Sequence, residues 1–148
     1  MVETAGPGAV LAVDYGARRI GLAVSDPHGV FAFPAGILER SGPEHDLAAL
    51  REIVERRGVV QIVVGLPIHM NGREGPEARA ARAFAAALGR ETGRTVHLFD
   101  ERWTSREAER ALRESERRRE PGDVDAVAAT LLLRAWLERR ARGAEGER

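Results

Sequence analysis

VLAVDYGARRIGLAVSD, residues 10–26, decides how this chain is read. Its first apolar run has strand character and ends in an acid, Asp14; the chain then turns around Gly16 and resumes as a second apolar run. Residues 9–14 and 20–26 therefore read as two strands, and residues 30–38, VFAFPAGIL, as a third with an interruption at Pro34. Three sequential strands with short links favour an antiparallel meander. The hairpin leaves Asp14 at the lip of a buried sheet, where a carboxylate serves better as a metal ligand than as a structural residue.

Beyond the meander the period changes. Ser41 with Glu44 predicts a capping box, followed by a helix whose Leu47, Leu50, Ile53 and Val54 share a face until Gly58. VVQIVV, residues 59–64, has the continuous apolar character of a strand covered on both faces. A second helix is expected from Pro76 to about Glu91 with Ala80, Phe84 and Leu88 inward, and TVHLF, residues 95–99, supplies a fifth strand. Thr104 with Glu107 predicts the cap of a helix running to about Arg118. A last helix is expected from near Val124, with Ala128, Leu131, Leu132, Ala135 and Trp136 facing a core. The order β-β-β-α-β-α-β-α-α implies an α/β fold: a mixed sheet with helices on it and no internal repeat.

The chain has 148 residues, 43% of them hydrophobic, enough for one ordinary core. The expected organisation is a leader at 1–8, one domain over 9–140 and a polar tail at 141–148. No apolar run approaches the roughly 20 residues of a membrane span, and the leader lacks the charge and apolar core of a secretion signal. A cytoplasmic protein with no membrane partner is the expectation. The absence of cysteine excludes a thiol nucleophile, a disulfide framework and a thiolate zinc site. The histidines, His28, His45, His69 and His97, match no common zinc spacing. The net charge is zero, and the basic residues are all arginine. The clusters Arg18–Arg19, Arg117–Arg119 and Arg139–Arg140 suit bidentate grip on phosphate, or else form solvated faces balanced by glutamate.

Parallel neighbouring strands would bring Asp14 and Glu101 to one sheet edge, where ligands of such sheets bind. Asp125, in the first turn of the last helix, shares a face with Ala128, Ala129 and Leu132 and so turns toward the sheet. Three converging carboxylates repel one another unless a cation neutralises them, and an oxygen-only donor set suits Mg²⁺ or Mn²⁺ better than zinc. The chemistry that needs this arrangement is phosphodiester hydrolysis. Structural readings stand beside each acid: Asp14 closing its turn, Glu101 paired with Arg102, Asp125 favouring its helix dipole. Asp123 is expected as an N-cap, Asp100 to point away from Glu101, and Asp26 to serve its turn. Arg18 and Arg19, beside Asp14, are candidates for substrate phosphate. Tyr15 is a candidate either for base stacking or for packing at the sheet edge. GLPIHMNGREG, residues 65–75, lacks the phosphate cradle of nucleotide-triphosphate enzymes but sits where it can rim a site.

AVDYGARRIGLAVSD, VVGLPIHMNGREG, DERWTSREAE and DAVAATLLLRAWLE, dispersed in order across residues 10–138, together resemble the YqgF/RuvX-like family of small bacterial nucleases, within the RNase H-like and RuvC-like fold group. The resemblance implies a three-layer fold with a five-stranded sheet, three strands antiparallel and two parallel. It also implies a metal-dependent phosphodiester hydrolase whose catalytic and metal-binding acids correspond to Asp14, Glu101 and Asp125. The resolvases of the wider group carry a catalytic glutamate around the central strand. This chain has VVGLP there, with no acid from Val59 through His69, and Glu101 looks like a substitute arriving from the next strand.

Members of the family are described both as junction resolvases and as nucleases maturing the 5′ end of pre-16S ribosomal RNA. The resemblance favours RNA processing, with pre-16S rRNA or a ribosomal precursor particle as partner. The alternatives are branched DNA as the substrate of a resolvase, or a non-catalytic nucleic-acid-binding ribosome or transcription factor. Arg102, and Arg117 and Arg118 in the segment RESERRREPGDV, are the further substrate-binding candidates.

Overall fold

β1 (Ala9–Tyr15) is the strand around which the others assemble. In a computed structural model that describes residues 7–103, 114 and 121–146, with the backbone alone at 103, 121–125 and 144–146, it is followed by seven elements. These are β2 (Arg19–Ser25), β3 (Ala32–Glu39), α1 (Pro43–Arg56), β4 (Val59–Leu66), α2 (Pro76–Thr92), β5 (Thr95–Asp100) and α3 (Pro121–Gly146). A single 3₁₀ turn, Glu101–Trp103, follows β5. The sheet order is β3-β2-β1-β4-β5, with β1–β2 and β2–β3 antiparallel and β1–β4 and β4–β5 parallel. The meander and the parallel additions expected from the sequence are both present.

Strand alternation divides the core into two slabs. Leu11 and Val13 of β1, with Ile20, Leu22, Ile62 and Val64, pack against Leu50 and Val54 of α1 and Ala81, Phe84 and Leu88 of α2. The intervening residues Val10 and Ala12, with Ala23, Val63 and Phe99, pack against Ala129, Leu132, Leu133 and Leu137 of α3. The result is three layers, with two helices on one side of the sheet and α3 on the other. The direction of α3 is set by its far end, where Arg140 donates to the Gly29 carbonyl at 3.5 Å. Gly29 lies between β2 and β3, at the end of the sheet opposite the β1–β2 turn. α3 lies chiefly across β2, β3 and β1, and its amino-terminal half points toward the end of the sheet where β1 closes.

Several local expectations are corrected. The Ser41–Glu44 box does not form: Gly42 is the N-cap, and Pro43 occupies the first turn, to which its fixed φ is suited. Ser41 instead donates its backbone N–H to buried Asp46 at 2.9 Å. In α2 the inward face carries Ala78, Ala81, Phe84, Ala85 and Leu88, and Ala80 is exposed. α3 begins at Pro121, so Asp123 lies inside the helix rather than before it. Trp136 does pack against the α3-side core as expected, half-buried, its ring 5.2 Å from that of His97 and the Arg140 guanidinium 4.8 Å above it. α3 continues as far as Gly146, and residues 141–143 are exposed. The expected Thr104 cap, the helix to Arg118, and Arg117 and Arg118 themselves lie outside the described residues. Among the described residues no helix is long and apolar enough to cross a membrane.

Leu11 is fully buried in the central strand against α1 and α2. Leu11→Ala is expected to lower the free energy of unfolding by about 2–5 kcal/mol, read from urea denaturation at constant m-value.

Candidate active site

Ala12 of β1 pairs with Val63 of β4, and Gly65, two residues further along β4, pairs with Phe99 of β5; Ala12, Val63 and Phe99 all pack on the α3 side of the sheet. Asp14, two residues after Ala12 in β1, returns to that side by strand alternation, and Glu101 enters it from the 3₁₀ turn that follows β5. Asp14 and Glu101 meet there. Their carboxyl groups share a hydrogen bond, and Glu101 is pushed up to about 7, chiefly by burial and then by the negative charges of Asp14 and Asp100. Two acids in such contact at neutral pH need a proton or a cation between them.

Gly65 makes the meeting possible. A Cβ at this position would lie 2.5 Å from Glu101 Oε1 and 3.2 Å from its Cγ and Cδ. The Glu101 side chain thus occupies the space that a side chain at the end of β4 would fill. Gly65 was not singled out as a site residue from the sequence. Its signal was there, since a glycine closing the otherwise β-branched run VVQIVVGL marks a close approach.

Asp125 lies in the first turns of α3, one turn before Ala129, which is fully buried on the sheet. Its side chain is outside the described set. Among the described residues no group of three or more His, Asp or Glu gathers as a metal cage. The described part of the candidate site is the Asp14–Glu101 pair.

The arginine and aromatic candidates are dispersed. Tyr15 points to the α2 side of the sheet, away from Asp14. Its ring stacks on Phe84 at 4.1 Å and 14°, and the Arg40 guanidinium lies 4.4 Å above it. Arg18 is exposed in the β1–β2 turn, and Arg19 Nε donates to Glu39 at 2.9 Å. Arg102 forks onto Asp100, its Nη2 2.7 Å from Oδ2, and this guanidinium holds the Asp100 carboxyl below its usual range. Arg102 thus pairs with Asp100 and leaves Glu101 to Asp14. Asp26 serves its turn, accepting backbone N–H bonds from His28, Val30 and Phe31.

The loop after β4 folds back as a small turn. His69 N–H donates to the Arg73 carbonyl at 2.9 Å and Gly72 N–H to the His69 carbonyl at 2.8 Å. Glu74 is gripped by two Arg82 nitrogens, each at 2.7 Å, which ties the loop to α2. A Cβ at Gly72 would lie 4.0 Å from Arg102 Nη1, so the loop rims the acid edge beside Arg102.

A family model described as RuvX: Holliday junction resolvase matches residues 8–139. The chain belongs to the RuvX family. A relative from Koribacter versatilis, named as a candidate pre-16S rRNA nuclease, is 48% identical over 135 residues, covering 90% of this chain and 88% of its own. A relative from Moorella thermoacetica with the same name is 47% identical over 132 residues, covering 88% and 94%. Among solved structures, the Thermus thermophilus RuvC bound to a Holliday junction substrate aligns with a TM-score of 0.61 at 17% identity, covering 91% of this chain and 97% of that one. That likeness is one of fold. Membership and fold together support a nuclease or resolvase type of function for this RuvX-family chain.

Two predictions follow from the geometry of the pair. Gly65→Ala has an ordinary backbone φ to adopt and meets only the end of a long side chain. It is expected to leave the thermal midpoint nearly unchanged while turning Glu101 off Asp14 and weakening Mn²⁺ binding by roughly tenfold or more, read by calorimetry. The second concerns pH. Because Glu101 titrates near 7 when folded and near 4.5 in the open chain, the folded state holds this proton more tightly. Its contribution is fully present below the unfolded value and is lost as pH rises through the folded one. The metal-free protein should lose roughly 2–3 kcal/mol between pH 5 and 8, and Glu101→Gln should remove that slope in urea titrations across this range.

Proposed function

We propose that this RuvX-family chain is a metal-dependent endonuclease that hydrolyses nucleic-acid phosphodiesters, with pre-16S rRNA, cleaved during 5′-end maturation, as its substrate. The observation that carries the reading is the Asp14–Glu101 pair, two mostly buried carboxyl groups held in contact above Gly65. The donor set fits Mg²⁺ or Mn²⁺: it is oxygen-only, and the strain that raises Glu101 is the kind a divalent ion relieves. In this reading Asp14, Glu101 and Asp125 hold the ion. When bound, such an ion supplies Lewis-acid activation and charge neutralisation at the scissile phosphate.

The protein's own groups position the substrate. Asp14 is delivered by a strand paired on both sides and Glu101 by the turn after β5. Arg102 stands one residue from Glu101 and keeps its guanidinium partly exposed while paired with Asp100, within reach of a phosphate at this edge. Arg18, exposed on the turn after Asp14, is a second cation for the backbone of the nucleic acid. Arg117 and Arg118 are proposed as further phosphate contacts from the segment before α3. The pre-16S rRNA substrate is supported by the names of the relatives from Koribacter and Moorella. The family description supports a second reading, resolution of branched DNA.

The test sets a 5′-extended pre-16S rRNA fragment against a four-way DNA junction in parallel, with Mg²⁺ or Mn²⁺ present. Wild type is expected to cut the RNA, and Asp14→Asn, Glu101→Gln and Asp125→Asn each to lose at least about 100-fold in rate. Selective cutting of the junction would transfer the assignment to the resolvase reading. Tight RNA binding without cleavage in wild type would transfer it to a non-catalytic binding factor.

A further inference from the structure

Arg40, which follows β3, makes more contacts with the β1–β2 turn than any part of its own strand requires. Its Nη1 donates to the carbonyls of Gly16 at 3.1 Å and Ala17 at 3.0 Å. Its guanidinium covers one face of the Tyr15 ring at 4.4 Å, and Phe84 of α2 covers the other at 4.1 Å. Its Nε faces the Asp46 carboxylate at 4.0 Å, an acid whose side chain is only 3% exposed. Its backbone N–H donates to the Arg18 carbonyl at 2.9 Å. One side chain thus ties together the turn, the aromatic ring and the first turn of α1.

The object held is the peptide that presents Asp14. Tyr15 is the next residue and points to the opposite side of the sheet, so locking its ring between Arg40 and Phe84 fixes the backbone from which Asp14 projects toward α3. The two turn carbonyls on Nη1 fix the chain on the far side of Tyr15. A fork that donates, stacks and faces a carboxylate at once is work for a guanidinium and not for an ammonium.

We propose that Arg40, acting through Tyr15 and the Gly16–Ala17 carbonyls, is a positioning residue that holds Asp14 in its ion-binding orientation. This rests on the reading of Asp14 as a metal ligand. It assigns Tyr15 to the support of the site and not to contact with a base.

The test separates positioning from plain stability by titrating Mn²⁺ calorimetrically well below each variant's thermal midpoint. Asp46→Asn keeps the acceptor for Ser41 N–H and should bind Mn²⁺ as wild type does, as should Tyr15→Phe, which keeps the ring. Arg40→Met in the Asp46→Asn background, where no buried charge is left unpaired, should weaken Mn²⁺ binding by about tenfold or more. Arg40→Lys, which keeps the charge beside Asp46, should also lose affinity, and for both variants kcat of RNA cleavage should fall with KM unchanged. Wild-type Mn²⁺ affinity in Arg40→Lys, or in a folded double variant, would overturn the proposal. Asp14→Asn is the control: if it binds Mn²⁺ normally, the ligand assignment fails and the clamp fails with it.

Discussion

β1 is hydrogen-bonded along both edges, antiparallel to β2 and parallel to β4, and the site follows from that asymmetry. The parallel side gathers the carboxyl ends of β1, β4 and β5 at one edge. The antiparallel side closes β1 with a tight turn immediately after its acid. Asp14 therefore stands where a strand exit, a hairpin turn and two neighbouring strand exits coincide. A shift of one residue in β1 would send Asp14 into the slab beneath α2 and Tyr15 into the carboxylate site, which is why the apolar filling on both faces matters to chemistry at the rim.

The cost of the arrangement is electrostatic. Holding Glu101 against Asp14 out of water disfavours its charged form, and the fold gives up stability near neutral pH to keep the two together. Two features accommodate the pair: a glycine that opens space at the end of β4, and a bidentate Asp100–Arg102 ion pair that turns the neighbouring acid aside. Natural sequences tend to break local rules at functional positions, and two carboxyl groups held in contact at one sheet edge are such a place.

The fold was legible because each strand announced itself by composition and each turn by its punctuation. The antiparallel meander and the doubly covered β4 needed nothing beyond periodicity and linker length, whereas the two parallel strands were what the family resemblance implied. Asp14 and Glu101 were legible as strand-end acids converging on one sheet edge; the space at Gly65 that lets them touch was not, since the register that aligns β1 with β5 runs through β4. Helix phase in α2 was obscured by alanine on every side, which left Ala80 and Ala81 indistinguishable until packing chose the latter. Helix starts were misplaced where a proline set the first turn, at Pro43 and Pro121. Tyr15 could be read two ways because its stacking partners come from Arg40 and Phe84, both distant in sequence and neither marked by a motif. The side chain of Asp125, and Arg117 and Arg118 altogether, stand outside what the structure describes, and the roles proposed for them come from the sequence alone.

The two acids of the pair are mounted differently. Asp14 belongs to a central strand whose peptide groups are engaged on both sides, whereas Glu101 leaves the outermost strand through a single 3₁₀ turn. One carboxylate is therefore anchored in the stiffest part of the sheet and the other hangs from its margin on a longer side chain. Were a divalent ion held by this pair, Asp14 would be its fixed ligand and Glu101 its compliant one, so that adjustment at the site would fall on the β5 side while the scaffold under β1 stays still.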